Sequence, residues 1–241
     1  MIALTDIARR STTAPVTSLD DLAGPGEILV LVPHPDDESL AMGAAIAAAV
    51  EAGRQVHIAI VTDGAWSHPN SASHPPDVLS KLRLSEVKLA VSILTRGKAS
   101  PIWLGYPDMA APDCVDDFNE GMHLLAPVLE KTSAIWTTWN GDPHPDHQRV
   151  WRLAKQISFD RDGIRLFACP VWGRVQEPVP NADHTGLKRF PSEKYRAQKS
   201  QAVAAHASQM TNLIKDDPDG FTMATELAEY FVLSDEIFIP S

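Results

Sequence analysis

Cysteine is nearly missing from this chain of 241 residues: Cys114 and Cys169 are the only two, far apart and in no C-x-x-C pair. That excludes a disulfide-stapled fold and suggests a reducing, cytoplasmic setting. Positive charge is also scarce. Lys and Arg number 21 against 31 Asp and Glu, for a net charge of -10, a poor balance for gripping nucleic-acid phosphates or an anionic membrane surface. No apolar run approaches the ~20 residues of a membrane span. The N-terminal MIALTDIARRSTTAPV has no apolar core ahead of a small-residue cleavage site, so no signal peptide is expected. There is no G-x-x-x-x-G-K-[ST] loop, no G-x-G-x-x-G turn and no H-E-x-x-H, which removes support for nucleotide use. Ser85-Glu86-Val87-Lys88 matches S-x-x-K, but its companion motifs are absent. What remains is an ordinary globular composition, 44% hydrophobic and 22% charged. A chain of this length buries roughly 70–75% of its extended surface, and one domain over residues 1–241 is expected.

Residues 1–26 form a polar lead-in ending in Gly24-Pro25-Gly26. Ile28–Val32 is an unbroken aliphatic run, the pattern of a strand covered on both faces. A polar turn follows, then an Ala-rich helix over Ser39–Ala52 stopped by Gly53, then a second strand at Val56–Val61. The rest predicts a loop over 64–77, helices near 77–94, 118–131 and 145–157, and strands at 101–104, 134–139 and 165–170. Pro127 should kink or interrupt the third helix. Residues 173–192 are Pro-rich and aperiodic, a long loop excursion. Ser192–Met210 reads as one helix, and Tyr230–Ile239 as a final apolar run of strand type. Strands alternating with helices predict a Rossmann-like, doubly wound α/β fold, its sheet mostly parallel with helices on both faces. The active cleft of such a sheet lies outside the carboxyl ends of the strands, where the strand order switches.

Two polar turns fall just there. After the first strand comes Pro33-His34-Pro35-Asp36-Asp37-Glu38. His34 and Asp37, three apart on a strand-to-helix turn, can converge as part of a ligand set for Zn²⁺ or a similar ion. Asp36, beside a ligand, can act as base on an activated water. The competing reading is that these acids only cap the helix start; three consecutive acids after His-Pro exceed what capping needs. After the fourth strand comes Gly141-Asp142-Pro143-His144-Pro145-Asp146-His147. Of His144 and His147, one can bind metal while the other reaches the reacting group, and Asp146 can orient an imidazole. Together the two turns supply two His and one Asp with a position left open, the layout of a catalytic rather than a structural zinc centre.

The PHPDDE turn and the HPDH segment resemble the LmbE-like, or PIG-L, family of zinc-dependent de-N-acetylases, from about residue 27 onward. The resemblance implies removal of an N-acetyl or other N-acyl group from an amino-sugar conjugate such as an N-acetylglucosaminide. It implies His34, Asp37 and His147 as zinc ligands, Asp36 as general base, and His144 as acid or oxyanion stabiliser. Fe²⁺, Co²⁺ or Mn²⁺ could occupy the same ligands. Arg83-Leu84-Ser85-Glu86 looks like the family's Arg-x-x-Glu, whose Arg contacts the sugar, and Leu104–Asp108 is similar to its Leu-Gly loop, placing Asp108 near sugar hydroxyls. Lys199, Ala202, His206, Ser208 and Gln209 resemble its C-terminal helix signature, with His206 read as structural. His68 and His74 are expected to face solvent, His57 to be a satisfied strand residue. The partner so implied is a small-molecule amino-sugar conjugate, and homo-oligomers are possible. The rivals are a hydrolase of another bond, such as a phosphoester, and a metal- or sugar-binding protein without turnover.

This reading predicts about one divalent ion per purified chain and far less in His147→Ala, because ligand loss uncouples two turns more than a hundred residues apart. Elemental analysis of both proteins, prepared identically, checks it.

Overall fold

The run Ile28–Val32 is buried at every position, as a strand covered on both faces must be. It is the axis of the molecule. In the computed structural model, which describes residues 2–241, the elements are, in chain order, α1 (Asp6–Ser11), α2 (Leu19–Ala23), β1 (Glu27–Val32), α3 (Asp37–Glu51), β2 (Val56–Thr62), α4 (Pro76–Thr95), β3 (Ile102–Tyr106), α5 (Val115–Leu129), β4 (Thr132–Thr138), α6 (Pro145–Phe159), β5 (Arg165–Cys169), β6 (Lys188–Phe190), α7 (Arg196–Ala205), α8 (Ala207–Met210), α9 (Thr225–Leu233) and β7 (Glu236–Pro240). The strands form a seven-stranded sheet in the order β3-β2-β1-β4-β5-β7-β6. The pairs among β1 to β5 are parallel, and β7 pairs antiparallel with both β5 and β6. The expected α/β architecture is therefore present.

Alternation along β1 divides the core. Ile28, Val30 and Val32 face a layer built from α3, α4, α7 and α9. Leu29 and Leu31 face α5 and α6, which contribute Leu125, Leu129, Val150, Leu153, Ala154 and Ile157. Helix α3 is buried along its length from Asp37 to Val50. Its alanines are what such a position requires: a helix enclosed on all sides cannot keep a polar face.

A buried ion pair locks that layer. Lys199 on α7 donates to Glu236 on β7 at 2.7 Å, and both side chains are fully buried. The Glu236 carboxylate also accepts the amides of Ala44 and Ala45, at 2.7 and 2.8 Å, from the middle of α3. One carboxylate thus ties the last strand to the helix that follows the first.

Several expectations need correction. The lead-in contains α1 and α2; α2 is started by a capping box between Ser18 and Asp21. The 173–192 excursion contains strand β6, which extends the sheet. Pro127 does not interrupt α5, which continues to Leu129. Ser192–Met210 is broken at His206 into α7 and α8. Tyr230–Ile239 is half helix: α9 runs to Leu233 before β7 begins at Glu236. Among the described residues no helix is long and apolar enough to cross a membrane.

Removing one partner of a buried pair leaves an uncompensated charge, which typically costs about 3–5 kcal/mol. Lys199→Met should lower unfolding stability by that order, whereas Lys194→Met, at an exposed pair with Glu51, should change it little. Denaturant melts of the two variants give the comparison.

Candidate metal centre and active site

The sheet order switches between β1 and β4: the chain leaves β1 toward β2 and β3, and leaves β4 the other way, toward β5. The turns after these two neighbouring strands face one another across the crevice that opens there. PHPDDE and GDPHPDH are those turns, so residues more than a hundred positions apart meet.

At the centre is Asp37. One of its oxygens lies 3.3 Å from His34 Nδ1 and 3.5 Å from His147 Nε2. Nδ1 of His147 is engaged by Asp142 at 2.8 Å, so it carries the proton and Nε2 presents a bare lone pair. Nε2 is buried and has no hydrogen-bond partner among the described residues. A lone pair facing a carboxylate oxygen is repulsive unless positive charge lies between them. Ligand atoms on a tetrahedral ion at about 2.0–2.1 Å stand about 3.3 Å apart. The spacing, the orphaned nitrogen and the N/N/O donor set all fit a divalent cation. In His34/Asp37/His147 each imidazole approaches the shared carboxylate oxygen. The triplets whose ligand atoms all lie within 4.8 Å of one another are His34/His144/His147 and His34/Asp108/Asp146. They fit less well. Nδ1 of His144 is occupied by the Asp146 amide at 3.2 Å, and the Asp146 carboxylate accepts from Met109, Ala111 and Arg149.

The electrostatics agree. Burial pushes the His34 imidazole down, but Asp108, Asp146 and Asp37 outweigh it and carry its pKa well above the ordinary value. A point that favours a proton so strongly favours a cation. For Asp37 burial is overcome by His147 and His34, which hold its carboxyl at about 2.

Asp36 is different. It occupies the N-cap position of α3, and its carbonyl accepts from Ser39 and Leu40, yet its side chain makes no capping bond. Capping therefore does not account for this acid. Its backbone has φ of 135°, a conformation that favours glycine and typically costs about 1–3 kcal/mol elsewhere. Glu38 holds it there: one carboxylate oxygen accepts the Asp36 amide at 3.0 Å, the other accepts from Ser39 at 2.6 Å and meets His206 Nε2 at 3.0 Å. Burial raises the Asp36 carboxyl to about 6, against the pull of Arg83. It lines the cleft beside His34 and Asp37.

His144 lines the same cleft. Because its Nδ1 accepts the Asp146 amide and so caps α6, the proton of the neutral ring resides on Nε2. Burial, then His34 and His147, lowers its pKa to about 4, so near neutral pH it offers an uncharged N–H donor.

The remaining expected site residues take other places. Arg83 is 3% exposed; it donates to the carbonyls of Gly64 and Pro35, at 2.7 and 2.6 Å, and reaches Asp36 at 3.3 Å. It braces the base candidate while lining the cleft. Asp108 accepts the Trp66 amide and stands 3.3 Å from His34 Nε2. Asp146 stands 3.5 Å from the same nitrogen. The acid that orients the His147 ring is Asp142, which also accepts the amides of Val171 and Gly173 at 3.0 and 2.7 Å. Gly173 is needed there, since a Cβ would come within 2.9 Å of Asp142. The sequence reading overlooked Asp142 and Glu38. Glu86, the second half of the Arg-x-x-Glu motif, accepts both the amide and the hydroxyl of Ser208 at 2.7 Å. His57 meets Glu27 at 2.6 Å, a satisfied strand residue as expected. His68 does not face solvent: it is 2% exposed, packed under Gly220. Asp216 and Asp217 accept from Ser71, Ser73 and Asn70, and so staple residues 64–75 to the 211–224 loop over it.

A family model described as PIG-L, GlcNAc-PI de-N-acetylase, matches residues 29–158, more than half of the chain. A 1D-myo-inositol 2-acetamido-2-deoxy-alpha-D-glucopyranoside deacetylase of Kineococcus radiotolerans is 31% identical over 173 residues, 60% of this chain and 48% of that protein. The chain thus spans about half the length of the curated relative it matches. The solved N,N'-diacetylchitobiose deacetylase of Pyrococcus horikoshii superposes with a TM-score of 0.65 at 20% identity, over 90% of this chain and 84% of that one. A 4-carboxy-2-hydroxymuconate hydratase of Pseudomonas putida superposes with a TM-score of 0.61 at 16% identity, over 86% and 83%. At these identities the likeness is one of fold, and the hydratase shows that the fold carries more than one chemistry.

Asp142→Asn keeps the volume but places an NH₂ among three donors and removes the charge behind His147. Metal affinity should fall about 10–100-fold, as for other partners of ligating histidines. Competition against a chromophoric chelator measures it.

Proposed function

The chain belongs to the PIG-L (LmbE-like) family, and from that membership we propose that it is a metal-dependent hydrolase that removes an N-acetyl or other N-acyl group from an amino-sugar conjugate. Asp36 carries the proposal: a buried carboxylate in a costly backbone conformation that serves neither as helix cap nor as the shared neighbour of the two imidazoles. A protein that only bound metal or sugar would have no use for it.

His34, Asp37 and His147 are the proposed ligands. A divalent ion held there, zinc being the first candidate, supplies Lewis acidity and makes water acidic enough to deprotonate near neutrality. Asp36 accepts a proton from the attacking water as its oxygen adds to the amide carbonyl. The Nε2–H of His144 donates to the oxygen on which negative charge develops, an interaction typically worth ~3–4 kcal/mol in such sites. Asp36 then returns its proton to the departing nitrogen, and a carboxylate and a free amine leave. Asp142 and Glu38 act behind these groups, fixing the His147 ring and the Asp36 backbone. Arg83 partners Asp36, while Asp108 and Asp146 stand beside the His34 ring. The free thiols Cys114 and Cys169 support a reducing, cytoplasmic setting.

The same fold hosts a hydratase whose named substrate carries carboxylates. Here Arg83 is the one Lys or Arg among the described residues lining the cleft, and its guanidinium is already engaged, so beside the proposed metal no protein cation is free for such a substrate.

Asp36→Asn should keep its metal within a few-fold and lose about 10²–10⁴-fold in kcat, the usual worth of a positioned base. Acetate release from methyl N-acetylglucosaminide, with metal content measured on the same samples, decides the matter. Full activity in the variant would remove the base assignment, and absence of turnover in metal-replete wild type would remove the hydrolase reading.

A further inference from the structure

We propose that the cleft has a second chamber, next to His144, that receives an uncharged apolar substituent of the substrate; this rests on the hydrolase reading above. The main cleft is about 700 Å³ and contains the groups already described. A hollow of about 310 Å³ adjoins it and shares Met109, His144, Trp172 and Phe221 with it. Pro143, Pro145 and Gln176 complete the smaller hollow.

The two spaces differ in chemistry. The main cleft is lined by the carboxylates of Asp36, Asp37, Asp108 and Asp219, against which Arg83 is already engaged. An anionic substituent would meet these carboxylates there, with the one guanidinium already engaged and the proposed metal as the single remaining positive charge. The second chamber has no carboxylate, ammonium or guanidinium among the described residues that line it. Its walls are ring faces, proline rings and a thioether, with one amide at the rim.

These walls are built in advance. Trp172 and Phe221 meet edge to face, centroids 5.6 Å apart and planes at 83°. The Phe221 amide is fixed to the Ser67 carbonyl at 2.7 Å, and Gly173, next to Trp172, is held by Asp142. Met109 is 49% exposed although its φ of 66° is unfavourable for a methionine; its amide is anchored on Asp146 at 2.8 Å. Met109 thus presents an apolar side chain, on an anchored backbone, to both spaces. Walls ordered beforehand do not charge the ligand for their ordering. An N-acetylglucosamine unit whose amide lies between His144 and Asp36 occupies the polar space and leaves the apolar chamber free. His144 belongs to both spaces, so a substituent near the scissile amide reaches the chamber directly. The apolar group could be the acyl chain or the glycosidic substituent, and the choice of compounds separates the two.

The test compares methyl N-acetylglucosaminide, its phenyl glycoside, the methyl glycoside carrying N-phenylacetyl, and N-acetylglucosamine 1-phosphate. Initial rates on wild type give kcat/KM; calorimetry on Asp36→Asn gives Kd without turnover. One phenyl compound should exceed the methyl parent about tenfold in both readouts, the size expected for burying a ring against partly formed walls. The phosphate should fall below the parent. The phenyl-to-methyl ratio should shrink to about twofold or less in Gln176→Glu, which places a charge at the rim, and in Phe221→Ala. A phenyl advantage on the glycoside identifies an aglycone chamber; an advantage on the nitrogen identifies an acyl chamber. Ratios near one for both phenyl compounds, or a ratio that survives both variants, would overturn the proposal. Absence of turnover with the Kd ratio intact would instead discard the hydrolase reading and keep the chamber.

Discussion

Buried negative charge is the constraint on which this site depends. Asp37, Asp108, Asp142 and Asp146 each stand within 3.5 Å of a ring nitrogen of His34 or His147, and Asp36 is in the same cluster. Four of the five are under 9% exposed. Carboxylates cannot be massed out of water without compensating charge or donors. Backbone amides answer part of the demand: Asp142 takes two, Asp146 two, Asp108 one. Arg149 answers Asp146, and Arg83 answers Asp36. Asp37 takes one amide, that of His34 at 3.1 Å, and the nitrogens of His34 and His147 that gather on the same oxygen make a place suited to a cation.

The scaffold makes that concentration of charge tolerable by fixing its members from behind. Asp37 begins a helix that is buried along nearly its whole length, and the Glu236 carboxylate grips the middle of that helix. Glu38 turns inward to hold the Asp36 amide and meets His206. Glu86 draws Ser208 onto α4, one turn beyond Arg83. Asp36, Arg83 and His206 are thus held by α3, α4 and the α7–α8 junction, three elements packed as one layer against β1. A site whose parts must be placed to within about half an ångström needs such support; the stapled loops 64–75 and 211–224 give the outer wall the same rigidity.

Much of this was legible in the sequence because its carriers are short-range. The aliphatic run of β1, the alanines of α3 and the His-Asp turns after β1 and β4 each declare themselves within a few residues. The rule that ligands bind where strand order switches then brought the turns together. What escaped was long-range. Asp142 reads as an ordinary loop acid until β5 and the turn after it deliver the Val171 and Gly173 amides. Glu38 reads as a first-turn helix acid until the Asp36 backbone is seen to need an acceptor. No local breaker marks the interruption at His206, whose ring meets Glu38 from a distant part of the chain. Tyr230–Ile239 looked uniform because α9 and β7 are both apolar, and periodicity over so few residues does not separate them. His68 looked exposed because the loop that covers it comes some 150 residues later.

The fold alone does not select the reaction, as the superposable hydratase makes plain. On the proposed reading, selection rests on what is strained. Asp36 and Met109 both have positive φ without being glycine, and both are anchored through their amides by a carboxylate, Glu38 in one case and Asp146 in the other. Each anchor is a buried acid next to the ring cluster. Acids next to the ring cluster therefore also fix the backbones of two side chains that line the cleft, the Asp36 carboxylate and the Met109 thioether. Relaxing either backbone would cost its anchoring acid one amide donor. For the proposed reaction, chemistry and selectivity both depend on the acids behind them, with the sheet as the fixed frame.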